Sequence, residues 1–178
     1  MSEAADVGSD AGSERSIHQR GLWFDELEVG VRYVHTPGRT ATEADNVLFT
    51  TLTMNPQALH LDAAFSATQP FGRTLMNSFW TLATMVGLSV AQLTQGTLVA
   101  QLGLREVRFP NPLFVGDTIT AETVVIDARH SQSRPGQGVA TMRHTARNEQ
   151  GRIVAIAERS ALMWCRPHAP EADGGARA

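Results

Sequence analysis

The chain has 178 residues, a net charge of −3 and a single cysteine, Cys165. That length suits one domain with a proper core, the charge gives no basic footprint for nucleic acid, and the lone cysteine excludes an intrachain disulfide and a cysteine-based metal cluster. No apolar run approaches the roughly 20 residues of a membrane span, and the opening MSEAADVGSDAGSERS lacks a signal-peptide pattern, so a reducing cytoplasm is expected. Residues 1–20 and 167–178 are rich in Ser, Ala, Gly and acids and are expected to be disordered tails, because they bury too little to offset the entropy of ordering. The folded domain is expected over residues 21–166.

In LEVGVRYVHTPGRT a turn at Gly30 leads into an alternating strand with Val31, Tyr33 and His35 on one side. Thr42 with Asp45 three residues on forms a capping-box start. The helix that follows carries Val47, Leu48, Thr51 and Leu52 at helical spacing, and Pro56 ends it. DAAFSA is a short turn of helix with Asp62 as its expected cap. From Ser78 to Leu93 nearly every residue is apolar or small, including Phe79, Trp80, Leu82, Met85, Val86 and Leu88. A helix apolar on all faces is expected to be buried on all faces. After Gly96 the period changes to two in TLVAQLGLREVRF, DTITAETVVIDARH, GVATMRHTARNEQ and GRIVAIAERSALMWC, four strand candidates with turn-rich joints. The NEQGR joint is short enough for a hairpin.

One strand, then helices, then four strands around one central helix gives an α+β fold. The simplest form is the hot-dog arrangement, a five-stranded antiparallel sheet wrapped around a long helix. Its exposed edges and half-covered helix predict a dimer.

Four blocks, FDELEVG (24–30), TEADNVLFTTLT (42–53), NPQALHLDAAFSATQPFG (55–72) and NPLFVGDTITAE (111–122), resemble the MaoC-like dehydratases and R-specific enoyl-CoA hydratases of the hot-dog superfamily. The resemblance covers almost the whole folded domain in the expected order. It implies a catalytic histidine at His60, an aspartate two residues later at Asp62, and a first aspartate five residues before it, where this chain has Asn55. The family's Ala-His-Gly turn before the central helix is Met76-Asn77-Ser78 here. With these departures the chain is similar to mesaconyl-CoA-type hydratases, which carry an asparagine in the dyad. The resemblance further implies a short, branched or dicarboxylic enoyl-CoA substrate and no cofactor, CoA being part of the substrate. It implies a homodimer, with a hexamer built as a trimer of dimers left open, and no nucleic-acid or membrane partner.

Hydrating an enoyl thioester needs a base for water, a donor for the enolate oxygen and a proton for Cα. Histidine, with a reference pKa of about 6.5, suits the first. The N–H groups of Asn77 and Ser78 at the positive end of the central helix suit the second. Asn55 is assigned to orienting the water through its amide oxygen, with His60 the sole acid/base. Asp62, Gly72 and Arg73 are the expected substrate-binding positions. Arg73, ahead of Arg39, is the candidate for a second carboxylate. Trp80 and Met85 are read as core. His35, His130 and His144 show no partner at ligand spacing and are read as surface or sheet residues, so no metal is expected. Two other readings stand beside the hydratase: a non-catalytic acyl-CoA-binding hot-dog subunit, which the Asp-to-Asn departure favours, and an acyl-CoA thioesterase, which the absence of an acid between Ser78 and Leu93 disfavours.

Overall fold

The computed structural model describes residues 15–167, so most of the expected N-terminal tail and residues 168–178 lie outside the described residues. Residues 15–20 are exposed and carry no helix or strand. A 3-10 turn at Phe24–Glu26 precedes β1 (Arg32–Thr40), α1 (Glu43–Leu52), α2 (Ala58–Leu61), α3 (Ala63–Ala67), α4 (Ser78–Leu93), β2 (Leu98–Arg108), β3 (Thr118–His130), β4 (Gln137–Arg147) and β5 (Ile153–Trp164). The strands form one sheet in the order β1-β3-β4-β5-β2, every pair antiparallel. This is the hot-dog arrangement, with α4 packed on one face of the sheet. No described helix is long and apolar enough to cross a membrane.

Local chemistry explains the joints. The β4–β5 hairpin turns at Asn148, whose Oδ1 accepts from the N–H groups of Gln150 and Arg152, with Gly151 at positive φ. Thr42 and Asp45 form the expected capping box of α1. Alternation along β3, β4 and β5 places Ile119, Ala121, Ala146, Ala155 and Ala157 against Trp80 and Met85. The small alanines let α4 approach the sheet, and burial of each larger side chain contributes about 1.5–3 kcal/mol. A second cluster joins Leu93, Val125, Met142 and Met163 to Phe24. The Phe24 ring lies directly on Gly138, where an added Cβ would come within 2.5 Å of it.

One expectation about helix faces is corrected, and a second helix turns its polar side inward. Burial of α4 is one-sided: Met85 is wholly buried, but Phe79 is 67% exposed and Ala83 and Gly87 are exposed. The sheet curves around only one side of the helix. The other side, with Phe49 and Leu104, forms an open apolar groove. Helix α1 is inverted relative to its apolar spacing. Val47, Leu48 and Leu52 are exposed, whereas Asn46 and Thr50 are wholly buried. The reason is polar: the inner side of α1 meets backbone groups that need hydrogen-bond partners, and an apolar stripe could not supply them.

Candidate active site

His60 sits in the short helix α2, half-buried. Its Nδ1–H donates to the carbonyl of Leu75 at 3.0 Å. A carbonyl can only accept, so this bond fixes the neutral tautomer that leaves Nε2 with a lone pair. The imidazole is thereby oriented as a base by a backbone group. Leu75 precedes α4 and its N–H in turn donates to the carbonyl of Leu59, so two bonds lock the strip before α4 against α2.

The residue joining these parts is Asn46, which the sequence reading passed over. Its Nδ2 donates to the carbonyls of His60, at 3.0 Å, and Leu75, at 2.9 Å. Its Oδ1 accepts the N–H of Asn77 at 2.9 Å. One buried amide therefore ties the histidine, its orienting carbonyl and the N-terminus of α4 together. A polar residue among the apolar positions of α1 was the available signal.

That contact corrects the expected pair of oxyanion donors. The Asn77 N–H is taken by Asn46. The Asn77 side chain caps α4 through the Phe79 N–H and donates to Thr50 Oγ1. Asn77 is thus a buried structural cap. Ser78, the first residue of α4, is exposed, and its N–H meets no protein acceptor among the described residues. It is the remaining backbone donor of the pair.

Asn55 is half-buried, and its Oδ1 accepts the N–H of Gln57 at 3.0 Å. The oxygen assigned to water is thus engaged in a local turn. Nδ2 is the end of the amide without a protein partner among the described residues. Asp62 caps α3 through the Phe65 N–H, at 2.9 Å. Gly72 adopts a positive φ of 68° in an exposed turn. Arg73 turns toward the loop before β3: it donates to the Val115 carbonyl at 3.0 Å, lies 3.9 Å from Asp117 and covers the Phe114 ring at 4.3 Å. Neither Asp62 nor Arg73 lines the cavity at His60, and Arg39 pairs with Asp45. A clamp by these arginines on a substrate carboxylate therefore has no support in the geometry.

His60 and Ser78 open on a cavity of about 310 Å³ walled by Phe71, Met76, Phe109 and Val154. Asn111 and Thr81 add polar atoms to its lining, and no carboxylate or thiol does. One nitrogen ligand without a partner is a poor metal site and a good general base. The histidines at the other strands have different surroundings. His35 and His144 are buried and bridged by Thr123 Oγ1, at 2.7 and 2.8 Å. Burial, then the Arg159 and His35 charges, push the pKa of His144 down to about 3. His130 was expected to lack a ligand-spaced partner. Folding brings it beside Cys165 and Asp25.

The family described as MaoC like domain matches residues 26–148. A mesaconyl-CoA hydratase of Haloarcula marismortui is 24% identical over 158 residues, covering 89% of this chain and 44% of that protein. A beta-methylmalyl-CoA dehydratase of Chloroflexus aurantiacus is 28% identical over 152 residues, 84% of this chain and 42% of that protein. This chain thus spans less than half the length of either relative. Among solved structures, an (R)-hydratase from A. caviae involved in PHA biosynthesis superposes with a TM-score of 0.64 at 29% identity, covering 79% of this chain and 98% of that one.

Proposed function

Because the chain belongs to the MaoC-like domain family, we propose that it is a hydratase/dehydratase that adds water across, or removes it from, the α,β double bond of a short enoyl-CoA thioester. The observation that carries this reading is the orientation of His60. Nδ1 is held by the Leu75 carbonyl, so Nε2 is the basic atom, and the residue lines one cavity with the N-terminal residue of α4. The thioester oxygen accepts from the Ser78 N–H. His60 Nε2 removes a proton from water, and the hydroxide oxygen bonds to Cβ. The π electrons move to the thioester, where the helix N-terminus stabilises the enolate oxygen. Collapse of the enolate takes the proton from His60 to Cα, so both additions occur on one face. Asn55, which is not among the residues lining the cavity, is assigned to orienting the water from beside His60. The reaction needs no cofactor.

For the substrate, a branched or dicarboxylic acyl group of the mesaconyl-CoA or itaconyl-CoA type fits best. Two of the relatives are named for such compounds, and a cavity of about 310 Å³ is at the low end for a ligand site. The partner is a second copy of the chain. Among the described residues, edge strand β2 pairs with β5 alone, and it flanks the same open groove as Phe79 and Leu104, so one interface would cover both. A cytoplasmic location goes with a CoA-ester substrate and the unpaired cysteine.

The test is hydration of mesaconyl-, itaconyl- and crotonyl-CoA by the purified chain. His60→Ala should lower kcat by about 10²-fold or more with a modest change in KM, the range of general acid/base catalysis. No turnover of any of the three by the wild type, despite acyl-CoA binding, would favour a non-catalytic acyl-CoA-binding subunit. That reading draws on the engaged Asn55 oxygen. Hydrolysis to free CoA would favour a thioesterase.

A further inference from the structure

Three donor groups distant in sequence meet at the far end of the sheet. Asp25 lies in the 3-10 turn, His130 is the last residue of β3, and Cys165 follows β5. The Cys165 Sγ is 3.8 Å from His130 Nδ1, and His130 Nε2 is 4.0 Å from Asp25 Oδ1. One ligand atom from each residue falls within 4.8 Å of the others. The three also line an open cavity of about 720 Å³ with Gly136, Arg166 and Pro167. Strand β5 separates this place from the His60 cavity. Val154 walls that cavity, and the 11 residues from there to Cys165 span about 35 Å.

We propose that Asp25, His130 and Cys165 form a site for a divalent cation of the zinc class, with the remaining coordination position open to water. A thiolate, an imidazole and a carboxylate are the donor types such a cation takes, at bond lengths of about 2.0–2.3 Å. Those lengths place tetrahedral ligand atoms about 3.5 Å apart, so the ligand atoms, now within 4.8 Å of one another, close in by up to about 1 Å when the metal binds. Binding sends the thiol proton to solvent, and thiolate plus carboxylate then balance the double positive charge. A small rotation of the exposed His130 ring brings one nitrogen to both the sulfur and the carboxylate.

The surroundings favour this arrangement. Phe24 packs edge-on against His130, with centroids 4.9 Å apart. The Arg166 N–H donates to Asp25 Oδ2 at 2.8 Å, which leaves Oδ1 facing His130. Outer partners of this kind orient metal ligands. The Arg166 guanidinium, whose residue also lines this cavity, pairs with Glu26. Metal at this site joins the 3-10 turn, the end of β3 and the end of β5, three segments otherwise held at this corner by Phe24 and exposed polar contacts.

The experiment uses the full chain freed of metal and titrated with Co²⁺ under reducing conditions. One equivalent should bind with sulfur-to-cobalt charge-transfer absorption, and Zn²⁺ should displace it. Cys165→Ser should abolish the charge-transfer band. His130→Gln and Asp25→Asn should each weaken Zn²⁺ binding at least about tenfold, the usual loss with a metal-site group. At one Zn²⁺ concentration the Tm of the wild type should rise more than that of any of the three variants. Because all three side chains are exposed or half-buried, the variants are expected to fold, and circular dichroism verifies it. Binding without the charge-transfer band, equal affinity in wild type and variants, or one metal shared by two chains through Cys165 would each overturn the proposal. The readouts do not depend on hydratase activity.

Discussion

Replacing Asn46 with leucine removes the amide that joins His60, Leu75 and Asn77 while keeping nearly the same side-chain volume. The Leu75 carbonyl still accepts from His60 Nδ1. The His60 carbonyl and the Asn77 N–H lose the contact Asn46 made with them. Each orphaned buried group costs about 1–3 kcal/mol. Against a small gain in apolar burial, the net loss is about 3 kcal/mol. The catalytic effect is separate. Asn46 fixes the distance between the histidine and the first turn of α4, and a displacement of about 1 Å between reacting groups can cost about 10²-fold in rate. Urea unfolding gives the stability loss, and initial rates of mesaconyl-CoA hydration give kcat and KM at a temperature where the variant is folded. The fall is expected in kcat rather than KM, because Asn46 is wholly buried and does not line the cavity at His60. Thr50→Val serves as comparator: it removes only the acceptor of Asn77 Nδ2, so it should lower stability and leave kcat near wild type. A folded Asn46→Leu enzyme with wild-type kcat would refute the positioning role.

Asn55→Asp should keep or raise activity, since a carboxylate retains the acceptor for the Gln57 N–H and puts a second oxygen where Nδ2 stands; Asn55→Ala should be slower than both, and kinetics of the three proteins in the opposite order would mean that donation by Nδ2 is the essential function. Buried neutral His144, with a folded pKa of about 3 below the unfolded value of about 6.5, leaves the unfolded chain binding the extra proton between those values. Stability should therefore decline as pH falls from about 6.5 toward 3, by up to about 1.4 kcal/mol per pH unit from this group, and urea midpoints of His144→Gln should show a shallower acid limb; an unchanged slope would contradict the assignment. Phe79→Glu places a charge in the exposed groove of α4 and should shift sedimentation toward the monomer, whereas an unaltered assembly would exclude this face as the interface. Finally, mesaconyl-CoA should exceed octenoyl-CoA in kcat/KM, and the reverse order would rule out the short-substrate reading.

Much of the architecture was legible because its signals are local. Alternation in residues 97–165, glycine at the turns and the Thr42–Asp45 box each act over a few residues. The faces of α1 were not legible: helical spacing groups Val47, Leu48 and Leu52, but it cannot say whether that side meets the core or a partner. Here the inner side is set by the unpaired backbone groups of residues 60, 75 and 77, known only once α2 and α4 are in place. His60 stood out through its flanking blocks, whereas its orienting partner is a main-chain carbonyl, which any residue carries. Asn77 was identified as a helix-start residue, but its N–H proved to be engaged by a side chain 31 positions earlier. The Asp25–His130–Cys165 cluster depends on three chain ends reaching one corner of the sheet, and no spacing rule expresses that.

The row of Gln92, His35, Thr123 and His144, bonded in sequence and buried from His35 inward, with Arg159 nearby on β5, has a bearing on how the sheet finds its alignment. Alanines and valines along the concave face would tolerate a slide of two residues between neighbouring strands, because such a slide keeps every side chain on its own face. The polar row does not. A two-residue slip of β4 against β3 would carry His144 about 7 Å away from Thr123 and strand both in an apolar layer. Each of β1, β3 and β4 contributes one member, so each alignment is checked by a hydrogen bond that only one pairing satisfies. The row is a vernier: it adds little to cohesion, but it separates the native superposition of strands from neighbours that hydrophobic contact alone would leave nearly equal in energy.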